Sequence, residues 1–425
     1  KMNYFFPDVY QKSIYKINYQ KLKDNGIKCL LFDLDNTCVP YVDRRPTKKL
    51  KDHFDKLQDM EFKVIIFSNS PKERLKPFKK ELNINGILFN IYSNYTFEIE
   101  EYFKEFIVPS TDEIIGEYNI YFEKDKSIFE KVYKSFDKSK SIIIDTFKNQ
   151  KHYQQENMFL IDNEDYICIK DSNFDYKLFT SGKENSLKYL IRIIREILIR
   201  ALESNGYFYM HGTGIEIYDK GILILGGSGS GKTTFATRLN EISTPQKYLS
   251  NDRVFLKQDG LRYFPLPIIY AMGTVKSNRE LDNYFKSTHA LEKRRGGNYI
   301  LARSNVKCDI PLTDISRIFV HIQNVSSMNV DLIVFPNMSG SEVRVKELDE
   351  KDIIRRLNES NFTPEDKESL RREWLLKRSV TKEEIEENKR KLNQYLIRTK
   401  KIFEVEYTRE STKEEIIKEL VKRLW

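Results

Sequence analysis

Long apolar runs are missing from this 425-residue sequence, and no segment approaches the roughly 20 residues that a bilayer-spanning helix needs. The opening KMNYFFPDVYQ also lacks the charged-then-apolar plan of a signal peptide, so a soluble, cytoplasmic protein with no membrane partner is expected. Cysteine is scarce. The four, Cys29, Cys38, Cys168 and Cys308, are scattered without metal-ligand spacing and read as reduced core residues. There is no tract of one charge: 72 Lys plus Arg against 63 Asp plus Glu leave +9 spread along the chain. That balance suits phosphate-bearing partners and is weak support for nucleic acid. Internal repeats and low-complexity linkers are absent as well. What is present is 40% hydrophobic and too long for one ordinary core, so two or three domains are expected.

The chain opens on strand, helix, strand: an apolar run at 28–34, helical spacing in PTKKLKDHFDKLQDM (46–60), and FKVIIFSNS (62–70). A further helix is expected over 71–82. From about 88 to 181, short Tyr/Phe/Ile-rich runs broken by Asn, Asp and Lys predict a small, largely antiparallel β region. ENSLKYLIRIIREILIRALES (184–204) predicts a long amphipathic helix, followed by a hairpin-like pair of strands that ends in a glycine loop. The charge-dense tail from about 345 reads as a solvated helical bundle, with helix starts at Thr363, Thr381 and Thr412.

GGSGSGKT, residues 226–233, fits GxxxxGK[ST] in full, between the apolar strand GILIL and the helix-compatible TTFATRL. Glycines there let successive backbone N–H groups face a β-phosphate, and the helix N-terminus adds its positive dipole end. The binding set is Gly227, Ser228, Gly229, Ser230, Gly231, Lys232, Thr233 and Thr234, with Lys232 neutralising β- and γ-phosphates and Thr233 placed for Mg²⁺. Upstream lies His211 in HGTGIEIYDKG; downstream, KYLSNDRVFL reads as a strand carrying Asn251 and Asp252. The stretch 207–256 resembles HPr kinase/phosphorylase and the HPr-kinase-like serine kinases, whose fold is related to phosphoenolpyruvate carboxykinase. The matching positions are His211-Gly212, Glu216, the glycine loop and Asn251-Asp252-Arg253-Val254. The resemblance implies that an acid at this last position takes the acceptor's proton. The family usually shows two acids there, and Asn251 cannot act as a base. Asp252 is therefore expected as base or Mg²⁺ anchor, with His211 or Glu216 taking the other role. An arginine assisting transfer is sought among Arg253, Arg294, Arg295 and Arg303.

The N-terminal FFPDVYQKSIYKINYQKLKDNGIKCLLFDLDNT resembles phosphatases of the haloacid dehalogenase (HAD) superfamily of the YqeG type. The resemblance implies Asp33 as nucleophile and metal ligand, Asp35 as acid/base, Thr37 as loop support and Ser68 as a phosphate contact. A complete HAD site also needs a Lys and a Gly-Asp segment carrying further Mg²⁺ ligands, and no such segment follows a hydrophobic strand downstream. The unit therefore reads as a structural or regulatory remnant; an acid lent by Asp112, Asp162 or Asp165 would instead make a composite phosphatase, and a phosphate- or metal-binding site without turnover is the third reading.

Taken together, the expected fold class is α/β and α+β: a half HAD Rossmann-like unit (1–86), a small β-rich domain (87–182), a P-loop kinase core (183–345) and a helical C-terminal region (346–425). The expected function is an ATP- and Mg²⁺-dependent kinase acting on a hydroxyl, foremost Ser or Thr of a protein or peptide, with catalytic residues Asp252, His211, Lys232, Asp33 and Asp35. A bifunctional enzyme healing nucleic-acid ends and a nucleotide-gated binding module without turnover are the alternatives; a homo-oligomer is compatible with every one of these readings. Segment 271–306 is expected to be a loop-rich lid.

Overall fold

The computed structural model describes residues 11–34, 37–39, 47–67, 80–93, 99, 102–105, 107–108, 110, 112–145, 151–161, 166–181, 187–227, 229–292, 307–361 and 374–424. Contacts divide the chain into two units, Lys1–Glu81 with Ile91–Asn94, and Leu82–Asn90 with Tyr95–Trp425. The first contains two parallel strands, Cys29–Asp33 and Lys63–Phe67, joined through the helix Lys48–Asp59. Leu50, Leu57, Phe32 and Phe62 share its core, which is the apolar side of the strand–helix–strand pattern seen in the sequence. Of the helix expected over 71–82, residues 71–79 lie outside the described residues. Its end is a strand, Lys80–Ile84. Asn85, in the left-handed region, and Gly86 then turn the chain into Ile87–Ser93.

Those two strands open an eight-stranded sheet. It continues through Gly116–Lys124, Asp175–Thr180, Tyr166–Lys170, Met158–Ile161, Lys151–Gln155 and Ile142–Asp145. The four hairpin-linked pairings from Ile142 to Thr180 are antiparallel, as expected, while Asp175–Thr180 runs parallel to Gly116–Lys124. A parallel pair needs a long crossover. Part of it is the helix Lys126–Lys134, capped by the Asp125 carboxylate and packed through Phe129 against Leu160 and Ile167. The Tyr/Phe/Ile-rich text hid this helix.

The amphipathic helix forms over Leu187–Ser204, burying Leu190, Ile194, Ile197 and Leu198 and carrying Arg200 inward with Glu203 at 2.9 Å. Two sheets follow. A seven-stranded sheet has the order Ile322–Asn324, Gln246–Ser250, Gly212–Ile217, Lys220–Leu225, Leu332–Asn337, Lys401–Glu406, Arg344–Glu347. A four-stranded sheet holds Phe208–Met210, Val254–Lys257, Gly260–Tyr263 and Ser327–Met328. The predicted hairpin is present: Ile217 pairs with Lys220 across a two-residue turn in which Tyr218 and Asp219 are both left-handed, the torsions that match a strand pair's twist. Ile222, Leu223, Ile224 and Leu225 are fully buried in the middle of the sheet, each contributing about 1.5–3 kcal/mol by leaving water.

The tail corrects the expected helical bundle. It has helices at Glu350–Ser360, Lys382–Thr399 and Lys413–Leu424, and the Thr381 capping box and Thr412 start form as read. Thr363 lies outside the described residues. Lys401–Glu406, however, is a strand, inserted between Leu332–Asn337 in parallel and Arg344–Glu347 in antiparallel register. The short alternation KIFEVE was masked by flanking charge. The 271–306 segment differs too, since its described part is mostly helical, Met272–Ser277 and Arg279–Glu292. Truncation after Lys400 should consequently remove an interior strand and leave two unpaired edges. We expect an insoluble product or loss of the cooperative unfolding transition; a soluble fragment melting like the full chain would contradict the strand's place in the core.

Candidate phosphate-transfer site

The site forms where two chain segments change sheets. Phe208–Met210 belongs to the four-stranded sheet and Gly212–Ile217 to the seven-stranded one, with His211 between them. Gln246–Ser250 and Val254–Lys257 make the same passage in the opposite direction, with Asn251, Asp252 and Arg253 between them. Asn251 and Asp252 are thus in a tight bend rather than inside the single strand expected. Arg253 N–H donates to the Asn251 carbonyl at 2.8 Å across Asp252, whose φ is +65°. Left-handed torsions are uncommon for residues other than glycine and concentrate at functional sites. Thr213 secures the bend: its hydroxyl donates to Asn251 Oδ1 at 3.2 Å and receives the Asp252 N–H at 3.4 Å.

The crossings meet through His211 Nε2 and Asp252 Oδ1, 2.7 Å apart. Asp252 Oδ2 accepts from Arg253 at 2.5 Å. Burial opposes ionisation of Asp252, but the His211 hydrogen bond and the Arg253 and Lys232 charges outweigh it and hold the carboxyl below its usual range. Asn251 is 1% exposed. Glu216, weighed as an alternative partner, pairs with Lys247 at 2.5 Å beside the hairpin turn, about 13 Å along the strand from Gly212, the residue after His211. It takes no part in this cluster.

The glycine loop follows the central strand Lys220–Leu225, whose neighbour aligns Gly212 with Leu225 and so brings His211 to the loop's base. Gly226, Gly229 and Gly231 all have positive φ, and Gly231 caps the helix Lys232–Asn240 in the left-handed conformation. A Cβ on Gly231 would lie 2.3 Å from the Tyr407 hydroxyl, so a side chain is excluded twice over, by torsion and by space. Tyr407 donates to the Gly231 carbonyl at 2.7 Å and packs edge-on against Phe235. Nothing in the sequence pointed to Tyr407, which stands far from the loop just beyond the missed strand Lys401–Glu406. Lys232 turns back over the loop, its ammonium donating to the Gly226 and Gly227 carbonyls at 2.7 and 2.9 Å. Thr233 and Thr234 begin the helix, with Thr234 Oγ1 3.3 Å from Thr274 Oγ1. The loop's N–H groups and Lys232 fit a polyphosphate, and the buried Ser230 hydroxyl has no partner among the described residues. Thr233 and ionised Asp252 are of the donor type a hard cation takes. Ser228, Arg294, Arg295 and Arg303 lie outside the described residues.

In the first unit Asp33 ends its strand at the carboxyl edge of the parallel pair and is exposed, on the same face as Leu31. Cys38, where the following turn returns, is buried; burial and then the Asp33 charge push its thiol up to about 12. Thr37 is exposed. Asp35, Ser68, Asp162 and Asp165 lie outside the described residues. Asp112 is already engaged, 3.4 Å from Arg262 and bonded by the Ser110 hydroxyl. Among the described residues no group of three or more His, Cys, Asp or Glu side chains is arranged to hold a metal, so Asp33 has no described companion for the cation assigned to it. Nor, among the described residues, is any helix long and apolar enough to cross a membrane.

Comparison with known proteins bears on this first region. Residues 1–116 match the family model described as mitochondrial PGP phosphatase, a match that runs beyond position 86 to the start of the strand Gly116–Lys124. More particularly, 81 residues are 36% identical to the probable phosphatase YqeG of Bacillus subtilis (strain 168). That alignment covers 19% of this chain and 47% of the relative, so the chain spans about half the length of the curated relative it matches. The N-terminal region is therefore similar to HAD-type phosphatases.

Lys232 supplies a test of the loop's electrostatics. Burial lowers it from 10.5 to about 8, with Arg253 adding to the effect and Asp252 opposing it. The unfolded chain thus keeps this proton to higher pH than the folded one, and stability rises with pH between about 8 and 10.5; below that window the buried cation costs on the order of 1–3 kcal/mol. Lys232→Met should raise the unfolding temperature at pH 7 in the absence of nucleotide, and the gain should shrink as pH is taken from 8 toward 10.5. Thermal melts of both proteins across this range check it; a destabilised variant at pH 7, or a gain independent of pH, would count against it.

Proposed function

We propose that the second unit is a nucleotide-dependent kinase that transfers the γ-phosphate of ATP to a hydroxyl, foremost Ser or Thr of a protein or peptide. The observation that carries this reading is the meeting of an ionised, hydrogen-bonded carboxylate, Asp252, with a complete phosphate-binding loop whose lysine is within its electrostatic reach. Loop amides from Gly227 to Thr234 and Lys232 hold the phosphates. Bound Mg²⁺ supplies charge neutralisation between phosphate oxygens, and Thr233 with Asp252 would hold it. Asp252 accepts or orients the acceptor's hydroxyl proton, and His211 fixes the carboxylate's direction. Phosphoryl transfer needs positioning and charge compensation more than covalent chemistry, which suits a site built at a rigid sheet crossing. Nucleic-acid end healing lacks a comparable supporting observation here.

A second activity has its own support: the phosphatase likeness of residues 1–116 and the exposed Asp33 at a parallel strand end favour phosphate-ester hydrolysis by the first unit. The sequence's missing Gly-Asp segment favours a remnant instead, and assay decides between them.

The tests use γ-labelled ATP with cell-extract protein, short peptides and 5′-hydroxyl oligonucleotides as acceptors. Transfer should appear on protein or peptide. Lys232→Ala should lower it by roughly 10³ or more, the scale of losing a phosphate-directed cation. Asp252→Asn should lower it by about 10²–10⁴, as loss of a general base does. Either variant retaining activity within about tenfold of the parent would sink the assignment. Separately, Mg²⁺-dependent hydrolysis of a phosphate monoester that disappears in Asp33→Asn, with kinase activity unchanged, would establish the first unit as a phosphatase; no hydrolysis by the parent protein would leave it a remnant.

A further inference from the structure

A cleft of about 210 Å³ opens beside the glycine loop. Gly226, Gly227 and Ser230 line it from the loop, Phe335 from the neighbouring strand, and Arg356 and Ser360 from the helix Glu350–Ser360. Two buried donors of residues that line it, the Ser230 hydroxyl and Arg356 Nε, have no partner among the described residues. Buried donors are nearly always satisfied, so two on residues that line one polar cleft beside the glycine loop point to an acceptor that comes from outside. Arg356 is held in place for such a contact. Its NH2 donates to Glu404, a carboxylate only 5% exposed, and its guanidinium lies 5.6 Å from the centre of the Phe335 ring. NH2 is thereby fixed, and the Nε–H beside it remains to donate. The helix end is tied to the catalytic crossing as well: Ser360 Oγ donates to the Arg356 carbonyl at 2.8 Å, and the His211 N–H donates to the Ser360 carbonyl at 2.7 Å.

We propose that this cleft is an oxyanion subsite, in which Arg356 Nε and the Ser230 hydroxyl donate to phosphoryl oxygens of the terminal phosphate of a nucleoside triphosphate. It rests on the kinase reading above and adds to it an arginine from the C-terminal tail, outside the four that the sequence offered. Free inorganic phosphate has the same chemistry and is the other source of such an anion. Arg356 would there meet charge on the transferring group.

The experiment is calorimetric titration of ATP, ADP and inorganic phosphate into the full chain, its Arg356→Lys variant, which keeps a cation for Glu404, and its Ser230→Ala variant. Both variants should weaken ATP about tenfold or more, the scale of a lost charge-assisted hydrogen bond, and ADP by less than about twofold. Equal weakening of ATP and ADP, or none, overturns the subsite. If the parent protein binds neither nucleotide, the kinase reading fails by itself. The cleft is then judged on phosphate alone: binding weakened by both substitutions supports a free-phosphate site, and binding absent or indifferent to them refutes it. Melting of each variant without ligand shows that it is folded, and the two substitutions lie on different elements, so one can stand for the other.

Discussion

The bond between His211 and Asp252 joins two chain crossings that would otherwise be independent loops. Each crossing passes between the same two sheets, in opposite senses, and each is anchored on both sides by strand pairing. A carboxylate placed there cannot move without disturbing two ladders. This explains how Asp252 keeps a left-handed torsion, a conformation that persists only where its surroundings over-determine it. It also explains the direction of its ionisation. Burial alone would favour the neutral acid, yet one imidazole and two cations converge on it and hold the carboxyl below its usual range.

The loop is held by a comparable device from the opposite end of the chain. Lys401–Glu406 pairs beside Leu332–Asn337, which itself pairs with the loop-bearing strand, and delivers Tyr407 to the Gly231 carbonyl. Further down, Arg238 of the loop helix donates to the Arg409 carbonyl and Lys413 donates to the Glu241 carbonyl. The C-terminal segment therefore holds the glycine loop and its helix in place. A glycine at 231 is needed as much to admit this tyrosine as to permit the torsion, so a motif position that looks generic in sequence has a specific neighbour here.

What could be read from sequence follows the range of the forces involved. The glycine loop, the hairpin before it and the helix Leu187–Ser204 are local: torsional preference and a single periodic face specify them within a few residues. The resemblance offered His211 and Asp252 as separate candidates, and their hydrogen bond emerges only in the fold; the bend at Asn251 was hidden as well, since a strand changing sheets leaves no mark in hydrophobic periodicity. Lys401–Glu406 and Tyr407 were illegible for the opposite reason. Six residues of alternating pattern between two charged helices are outvoted locally, and only their long-range partners, Leu332–Asn337 and Gly231, make them a strand and a clamp.

Asn251 shows how the site accommodates the loss of an expected acid. Its side chain is 1% exposed and its oxygen accepts from Thr213, itself fully buried. A carboxylate in that position would be a second negative charge next to Asp252, without a described cation of its own, in a setting where desolvation is severe. One of the two acids would then take up a proton, and the one facing Arg253 and His211 would be the one to stay charged. The amide achieves the same distribution without the proton: it keeps the hydrogen bond that shapes the bend and leaves a single ionised group. On this argument the departure from two acids to Asn251-Asp252 changes the site's charge less than its sequence suggests, because the second acid's lasting contribution, an acceptor for the Thr213 hydroxyl, is the part that asparagine retains.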